Sequence, residues 1–235
     1  MSSNVLAVIP ARGGSKRLRR KNIRELDGKP LVAHAIQHGE TAEEVDKTVV
    51  STEDEEIQSI AIEYGSCDPI DRPPELATDT AKADEAVRHA LRELENNGET
   101  FDIVCMLLPT TPFRRPKDID NPIRQLKESD VESIVGVTEF DHPPFYAVEK
   151  DENGYLQPYF GDEYLWSVTR SQEMPSLQQP CGVIFAARTE ALFEHDNFYT
   201  DRTLGYEIPP ERALDIDEAF DLKIARALRQ YEENQ

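Results

Sequence analysis

The segment from Val5 to Asn22 places the strongest constraint on the fold. The apolar run from Val5 to Ile9 is typical of a buried β-strand, and Pro10 ends it. Two glycines, Gly13 and Gly14, follow within the same loop. Glycines just after a strand allow backbone N–H groups to close around an anion. The segment therefore predicts a strand that leads into an anion-binding loop.

Cations are concentrated in this loop, although the chain as a whole is acidic. The sequence has 46 acidic and 26 basic residues, a formal net charge of −20. The cations of the loop are Arg12, Lys16, Arg17, Arg19, Arg20, Lys21 and Arg24. Their concentration predicts a cradle for polyphosphate, and the alternative is an ordinary solvated basic loop. The spacing matches neither the Walker P-loop pattern nor the dinucleotide-binding pattern.

Composition excludes several classes of protein. A length of 235 residues with 38% hydrophobic residues fits one large domain, or one domain with a small appendage. The acidic balance argues against nucleic acid as a partner, and no apolar run is long enough to cross a membrane. The start of the chain has no apolar signal region and the three cysteines form no C-x-x-C pair, so we expect a cytoplasmic protein. The dense carboxylates fit a salt-loving source, with an ordinary acidic cytosolic protein as the alternative.

Strand and helix patterns alternate along the chain. The predicted strands are Val5–Ile9, Lys47–Ser51, Ile103–Leu108, Ser133–Thr138, Gly182–Ala187 and Ala213–Asp217. The predicted helices begin at Leu31 and Pro116 or cover Glu55–Tyr64, Ala83–Asn96, Arg188–Glu194 and Glu218–Asn234. This alternation predicts a parallel sheet with Ile103–Leu108 near its centre. Ligands bind such sheets at the carboxyl ends of the strands.

An aromatic-rich stretch from Phe140 to Met174 interrupts the alternation. Asn153 and Gly154 within it predict a hairpin turn, and hence an antiparallel insertion. Clustered exposed aromatic side chains favour a partner surface. We therefore expect a contact between subunits here, with a small satellite core as the alternative.

Two carboxylates, Asp215 and Asp217, lie two residues apart near the end of the chain. In an extended segment both point to one face, while Ile216 points into the core. Paired carboxylates beside a polyphosphate suit a hard cation such as Mg²⁺. The alternative is that Asp217 caps the last helix, and the two roles can coexist.

Five motifs occur in order across nearly the whole chain. They are Ile9-Pro10-Ala11-Arg12-Gly13-Gly14-Ser15-Lys16-Arg17 with Lys21-Asn22, Arg72-Pro73 with Leu76-Ala77-Thr78-Asp79-Thr80, Leu108-Pro109-Thr110-Thr111-Pro112-Phe113-Arg114, Thr169-Arg170-Ser171-Gln172 and Asp215-Ile216-Asp217. Each alone is a weak indication. Together they resemble the acylneuraminate cytidylyltransferases, which are CMP-sialic acid synthetases.

The resemblance implies a Rossmann-like nucleotidyltransferase fold of the α/β class, with a mostly parallel sheet and helices on both faces. It implies one domain over residues 1–235, with a dimerisation insertion at about 140–174 that closes the partner's site in a homodimer. The reaction it implies transfers CMP from CTP to a nine-carbon 2-keto acid sugar and releases pyrophosphate, with Mg²⁺ as cofactor. The sugar would be of the N-acylneuraminate, legionaminate or pseudaminate type.

The same resemblance assigns roles to individual positions. The nucleotide would contact Arg12, Gly13, Gly14, Ser15, Lys16, Lys21, Asn22, Arg72, Thr80 and Ala81. The sugar would contact Leu108, Thr110, Thr111, Arg170, Gln172 and Cys181. Catalysis would depend on Lys21, Arg12, Asp215 and Asp217, and the two aspartates would bind Mg²⁺.

The absence of an evident Ser–His or Cys–His pair predicts that no covalent enzyme intermediate forms. With the substrates that the resemblance implies, we expect the sugar hydroxyl to attack the α-phosphorus of CTP in line. Two other functions compete with this interpretation. One is a nucleotide-binding subunit without catalysis, against which the aspartate pair argues. The other is a sugar-1-phosphate nucleotidylyltransferase, whose G-x-G-T-R loop is absent here.

Three positions depart from the family pattern in the sugar region. Leu108 replaces a common glutamine, Cys181 a common asparagine, and Phe145 a basic residue of some relatives. An apolar side chain cannot bond a hydroxyl but tolerates a methyl group. The replacements predict a preference for 9-deoxy sugars that end in methyl. The alternative is that backbone groups or water replace the amides and N-acetylneuraminate remains the substrate.

Overall fold

A seven-stranded, mostly parallel β-sheet forms the centre of the molecule. The computed structural model describes residues 3–66, 68–140, 142, 144–161 and 176–233. The strands are β1 (Val5–Pro10), β2 (Glu25–Leu26), β3 (Lys29–Pro30), β4 (Lys47–Thr52), β5 (Ile70–Asp71), β6 (Ile103–Met106), β7 (Ser133–Glu139), β8 (Val148–Lys150), β9 (Leu156–Pro158), β10 (Gln178–Arg188) and β11 (Thr203–Glu207). The helices are α1 (Leu31–Thr41), α2 (Glu55–Tyr64), α3 (Ala83–Asn96), α4 (Lys117–Glu128), α5 (Thr189–His195) and α6 (Ala219–Glu233).

The strand order is β11-β7-β10-β6-β1-β4-β5. Strand β10 runs antiparallel to its neighbours β6 and β7, and the other neighbouring pairs are parallel. The predicted α/β fold with a mostly parallel sheet is confirmed. The predicted centre is confirmed too, because β6 is the fourth of the seven strands.

The apolar strands are central because helices cover both faces of the sheet. Every residue of β6, and of β1 up to Ile9, is buried. Such two-sided burial explains their continuous apolar runs. Helices α1, α2 and α4 pack on one face, through residues such as Ile36, Ile57 and Ile123. Helices α3 and α5 pack on the other, through residues such as Leu91 and Leu192.

Local sequence determines the helix ends near the glycine loop. The Asp54 carboxylate accepts hydrogen bonds from the N–H groups of Glu56 and Ile57, so it caps α2 as a short acidic side chain should. Gly65 follows the last helical residue, Tyr64. Both boundaries agree with the prediction.

Two strand predictions are wrong. Ala213–Asp217 is a loop, attached to the turn after β6 by a 2.8 Å hydrogen bond from the Ile216 N–H to the Thr110 carbonyl. The predicted end of the central strand at Leu108 is also too late, because β6 stops at Met106. The edge strand Thr203–Glu207 was missed, since it is short, largely exposed and interrupted by Gly205.

The predicted insertion contains an antiparallel hairpin, β8 paired with β9. Gly154 in its turn has a φ of +86°, a backbone conformation that favours glycine. Residues 162–175 of the insertion lie outside the described part. Among all the described residues of the chain, no helix has the length and hydrophobicity needed to span a bilayer.

Candidate active site

A cavity of about 510 Å³ opens at the carboxyl ends of β1 and β6. The chain leaves β1 toward β4 on one side and returns to β6 on the other, so the cavity lies at the switch point of the sheet. Predicted site residues that line it are Arg12, Ser15, Lys16, Lys21, Asn22, Arg72, Ala81, Leu108, Thr110, Asp215 and Asp217. The fold therefore brings together residues that are up to 205 positions apart in the sequence.

Glu53, which the sequence analysis missed, shapes the glycine loop. Its carboxylate accepts the Gly13 N–H at 2.8 Å and faces Arg72 Nη2 at 3.3 Å. The Gly13 N–H therefore points to protein rather than into the cavity. Burial lowers the pKa of Arg72, and Glu53 is its acidic partner. The available indication was an acidic residue just beyond the carboxyl end of a strand, in Thr52-Glu53-Asp54.

Asp54 fixes the other side of the same loop. A Cβ at Gly13 would collide with the Asp54 carboxylate, so this position requires glycine. Asp54 also forms an ion pair with Arg20, which Glu56 contacts as well. Arg20 thus anchors the loop to α2 rather than facing the cavity.

Asn22 supports the loop from within. Its side chain is buried and donates a 2.9 Å hydrogen bond to the Arg12 carbonyl. Arg12 itself lines the cavity with part of its side chain exposed. The amide therefore holds the backbone from which the Arg12 guanidinium projects.

Two carboxylates pair with four of the cations that line the cavity. Asp217 lies 2.6 Å from Lys21 and 3.0 Å from Arg17, and the hydrogen bond from Lys21 is the main reason that its pKa is lowered.

Asp79 is the second of these carboxylates, and the sequence analysis gave it no role of its own. It lies 2.6 Å from Lys16 and 3.1 Å from Arg12. The hydrogen bond from Lys16 is the main cause of its lowered pKa.

The two predicted metal ligands share one face, as expected from their spacing. Asp215 and Asp217 both line the cavity, while Ile216 is fully buried between them. Asp215 is exposed to solvent, although protein atoms lie close enough to its carboxyl to desolvate it in part. Desolvation raises its pKa, and a hydrogen bond with Thr110 opposes that shift.

The capping alternative for Asp217 belongs instead to Asp221. Asp221 accepts the N–H groups of Asp217 and Glu218 at 2.9 and 2.7 Å. The oxygens of Asp217 are thereby left to Lys21 and Arg17. The sequence pattern placed a cap at the start of α6 but assigned it to the wrong aspartate.

The donor set of the pair fits Mg²⁺. Across the described ranges, no group of three or more His, Cys, Asp or Glu side chains is arranged to hold a metal ion. Mg²⁺ is commonly bound by one or two carboxylates together with substrate phosphates and water. Asp215 and Asp217 match that pattern, because they line one cavity together with cations suited to binding phosphate.

A buried ion pair holds the aspartate loop against α4. Arg212, in the turn just before the loop, donates to Asp118 at 2.8 and 2.9 Å. Asp118 is fully buried at the start of α4. Removing one partner of such a bidentate pair would leave a buried charge unpaired. The pair therefore fixes the position at which the loop that carries Asp215 begins.

Of the predicted sugar contacts at and near the turn after β6, some line the cavity and others are buried inside the protein. Leu108 and Thr110 line the cavity. Thr111 is fully buried and donates to the Gly182 carbonyl at 3.0 Å. Cys181 packs inside the protein beside Val183.

Arg114 holds this turn from below. It is buried and donates to the carbonyls of Leu108 and Gly182 at 3.1 and 3.2 Å, and to the Thr111 hydroxyl. Desolvation lowers its pKa to about 10, so it remains charged at neutral pH.

The remaining predicted site residues do not line the cavity or lie outside the described part. Gly13, Gly14 and Thr80 belong to its loops but not to its lining. Arg170 and Gln172 lie outside the described residues. Burial raises the pKa of the Cys105 thiol to about 12 and also raises that of Cys181, so neither is available as a thiolate nucleophile.

Comparison with known proteins finds related sequences and a related fold. The family model described as Cytidylyltransferase matches residues 6–230. The chain is 32% identical over 223 residues to pseudaminic acid cytidylyltransferase of Campylobacter jejuni, and the match covers 95% of each chain. It is 33% identical over 227 residues to CMP-N,N'-diacetyllegionaminic acid synthase of Legionella pneumophila, again over 95% of each chain.

A longer relative and a solved structure extend the comparison. The chain is 32% identical to N-acylneuraminate cytidylyltransferase of Escherichia coli, of which the match covers 54%. The fold matches that of CMP:2-keto-3-deoxy-manno-octonic acid synthetase complexed with CTP, with a TM-score of 0.74 at 18% identity over 98% of this chain and 100% of that one. At that identity the structural match shows a shared fold.

Proposed function

The chain belongs to the cytidylyltransferase family, and on that premise we propose that it transfers CMP from CTP to a nonulosonic acid and releases pyrophosphate. The observation that carries the proposal is the single cavity in which Arg12, Lys16 and Lys21 face Asp215 and Asp217. Cations of this kind bind phosphate, and paired carboxylates bind a divalent cation. The relatives that act on pseudaminic, legionaminic and acylneuraminic acids support the sugar class.

The chemistry follows from charge and position. The anomeric hydroxyl of the sugar attacks the α-phosphorus of CTP in line, and the bond to the pyrophosphate oxygen breaks. Lys21 is half-buried beside the cavity, so its charge is less screened than that of the exposed Lys16. Arg12, Lys16 and Lys21 hold the phosphates and neutralise the charge that develops on the leaving group.

Asp215 and Asp217 would hold Mg²⁺ in this proposal. When bound, the ion supplies Lewis-acid stabilisation to phosphate oxygens. Asp217 is already in contact with Lys21, so the metal ligand and a phosphate ligand are neighbours. In this proposal Arg72, which lines the cavity and pairs with Glu53, contacts the cytosine end of the nucleotide.

Pyrophosphate release tests the proposal and separates it from its rivals. The purified protein is supplied with CTP, ATP, GTP or UTP and with pseudaminic acid, legionaminic acid, N-acetylneuraminic acid or a sugar 1-phosphate, with Mg²⁺ and with chelator. We expect release only with CTP, a free nonulosonic acid and Mg²⁺. Turnover that requires a preformed sugar phosphate would support a sugar-1-phosphate nucleotidylyltransferase. CTP binding without turnover on any of these sugars would support a non-catalytic subunit.

For the sugar itself we propose a 9-deoxy diamino nonulosonate. Leu108 is one of the apolar side chains that line the cavity, and it also packs against Gly182. A methyl group is tolerated beside such a side chain, while a hydroxyl there loses a partner.

We also propose that the protein is a cytoplasmic homodimer that uses the hairpin insertion and binds neither nucleic acid nor membranes. Tyr155, Leu156, Tyr159 and Phe160 of the hairpin are all exposed. The rings of Tyr159 and Phe160 contact each other edge to face, with their centroids 5.0 Å apart. An apolar group of this kind on an acidic protein fits a second copy of the chain as its partner.

A further inference from the structure

We propose that Asp79 is an internal competitor for the phosphate-binding cations, and that it thereby sets the affinity for CTP and for pyrophosphate. The inference rests on the proposed function, because Arg12 and Lys16 must bind phosphate for the competition to matter. It assigns an affinity-determining role to a residue that contributes neither a cation nor a metal ligand to the site.

The geometry of Asp79 imitates that of a bound anion. Its Oδ1 lies 3.1 Å from Arg12 Nη1, and its Oδ2 lies 2.6 Å from Lys16 Nζ. Each carboxylate oxygen thus contacts a different cation, as two oxygens of a phosphate would. The neighbouring Thr78 carbonyl accepts a second hydrogen bond from Arg12 at 2.7 Å, so the loop is attached to this cation at two points.

The contact is weak enough to exchange. The side chains of Arg12, Asp79 and Lys16 are 32%, 42% and 80% exposed. Ion pairs at such exposure contribute little and are screened by salt. A triphosphate carries several charges against the one of Asp79, so it displaces the carboxylate when it binds. The carboxylate returns to the cations when the ligand leaves.

Competition of this kind multiplies the intrinsic affinity for a phosphate ligand by the fraction of molecules in which the cations are free. The reduction applies to every ligand that uses Arg12 and Lys16, which includes CTP and pyrophosphate. It does not apply to cytidine, which has no phosphate. During turnover the carboxylate opposes rebinding of pyrophosphate, so Asp79 promotes product release.

Calorimetric titrations of CTP, pyrophosphate and cytidine test the inference. The variants are Asp79→Asn, Asp79→Glu and a matched control, Glu99→Gln. Glu99 is 43% exposed and pairs with Lys47 at 2.6 Å, away from the cavity, so its substitution removes the same charge elsewhere. We expect Asp79→Asn to tighten CTP and pyrophosphate binding by about threefold and to leave cytidine unchanged. Asp79→Glu and Glu99→Gln should behave like the wild type.

Several outcomes would overturn the inference. CTP affinity that is unchanged or weaker in Asp79→Asn would show that the carboxylate does not compete. An equal gain for cytidine would indicate a change in the loop, and an equal gain in Glu99→Gln would indicate an effect of net charge. Wild-type protein that fails to bind CTP would overturn the proposed function, and this inference with it.

Discussion

Lys21 Nζ lies 2.6 Å from Asp217 Oδ1 in the wall of the cavity. The cation is suited to phosphate and the carboxylate to a divalent cation, and in this contact each neutralises the other. A divalent cation on Asp217 and a phosphate on Lys21 would each replace one half of this pair. The two ligands are therefore expected to help each other bind, because the first to arrive frees the partner group of the second. A nucleotide that carries its own metal satisfies both groups together.

The contribution of Lys21 is tested by Lys21→Ala. We expect kcat/KM for CTP to fall by about 10²-fold or more, since this charge meets the phosphates in the ground state and during transfer. Arg19→Ala is the matched control, because Arg19 is an exposed cation of the same loop that does not line the cavity. Steady-state kinetics with varied CTP provide the measurement. Equal losses in the two variants would mean that the positions of the cations have been assigned wrongly.

The metal proposal is tested by Asp215→Asn. Loss of one carboxylate ligand should lower turnover by about 10²-fold or more and raise the Mg²⁺ concentration needed for half-maximal rate. The neighbouring exposed Glu218→Gln should change neither quantity. Near-normal activity of Asp215→Asn, or wild-type activity that survives chelation, would argue against a metal at this pair.

His38 predicts a dependence of stability on pH. Desolvation is the main cause that lowers its pKa to about 3, and the charges of Arg114 and Arg229 add to the effect. In the unfolded chain a histidine titrates near about 6.5. Because the pKa of His38 is lower in the folded protein, its neutral form stabilises the fold fully above the unfolded pKa of about 6.5. This stabilisation is lost as the pH falls from about 6.5 toward 3.

The measurement is urea unfolding at pH 7 and pH 5. Wild-type protein should lose about 1–2 kcal/mol more of its free energy of unfolding over this interval than His38→Gln does. Burial also lowers the pKa of His34, so the variant keeps part of the dependence. His142→Gln replaces an exposed histidine and should match the wild type. Identical losses in all three proteins would contradict a neutral His38.

The hairpin is tested by the double variant Tyr159→Ser, Phe160→Ser. If these exposed rings join two subunits, light scattering should show a dimer for the wild type and a larger monomer fraction for the variant. Tyr231→Ser removes an aromatic side chain that is 64% exposed on α6 and should leave the dimer intact. The comparison is made at low and high salt, because like-charged subunits repel more when unscreened. A wild-type monomer at micromolar concentration in both buffers would sink the proposal.

Local patterns predicted the elements whose ends have their own chemistry. Helix α2 has an Asp54 cap and a following glycine, so sequence alone placed both of its ends. Strand β6 is buried on both faces, so sequence alone found it but ended it two residues too late. The pairing of Arg12 with Asp79 joins residues 67 positions apart, and nothing local encodes it. Glu53 was missed for the same reason, since its partners come from two other loops.

The split between Thr110 and Thr111 was beyond the sequence for a different reason. The turn after β6 has no regular period, so two adjacent threonines give no indication of which one faces the cavity. The buried Arg114 and the Gly182 carbonyl take the Thr111 hydroxyl, and Thr110 is left for the site. Cys181 was assigned by resemblance, and the structure places it in a small apolar cluster instead.

The choice of sugar is tested at Leu108. A glutamine there would offer an amide to a hydroxyl on the sugar's tail, and one such bond is worth about 1–3 kcal/mol. We expect Leu108→Gln to shift the ratio of kcat/KM about tenfold toward N-acetylneuraminate and away from the 9-deoxy sugars. Cys181→Asn is the informative comparison, because Cys181 is buried away from the cavity. It should lower the unfolding midpoint, since a larger polar amide replaces a thiol within an apolar cluster, and leave the sugar ratio unchanged. If the sugar ratio shifted with Cys181→Asn but not with Leu108→Gln, the tail of the sugar would lie next to Cys181 on β10 and not beside the turn after β6.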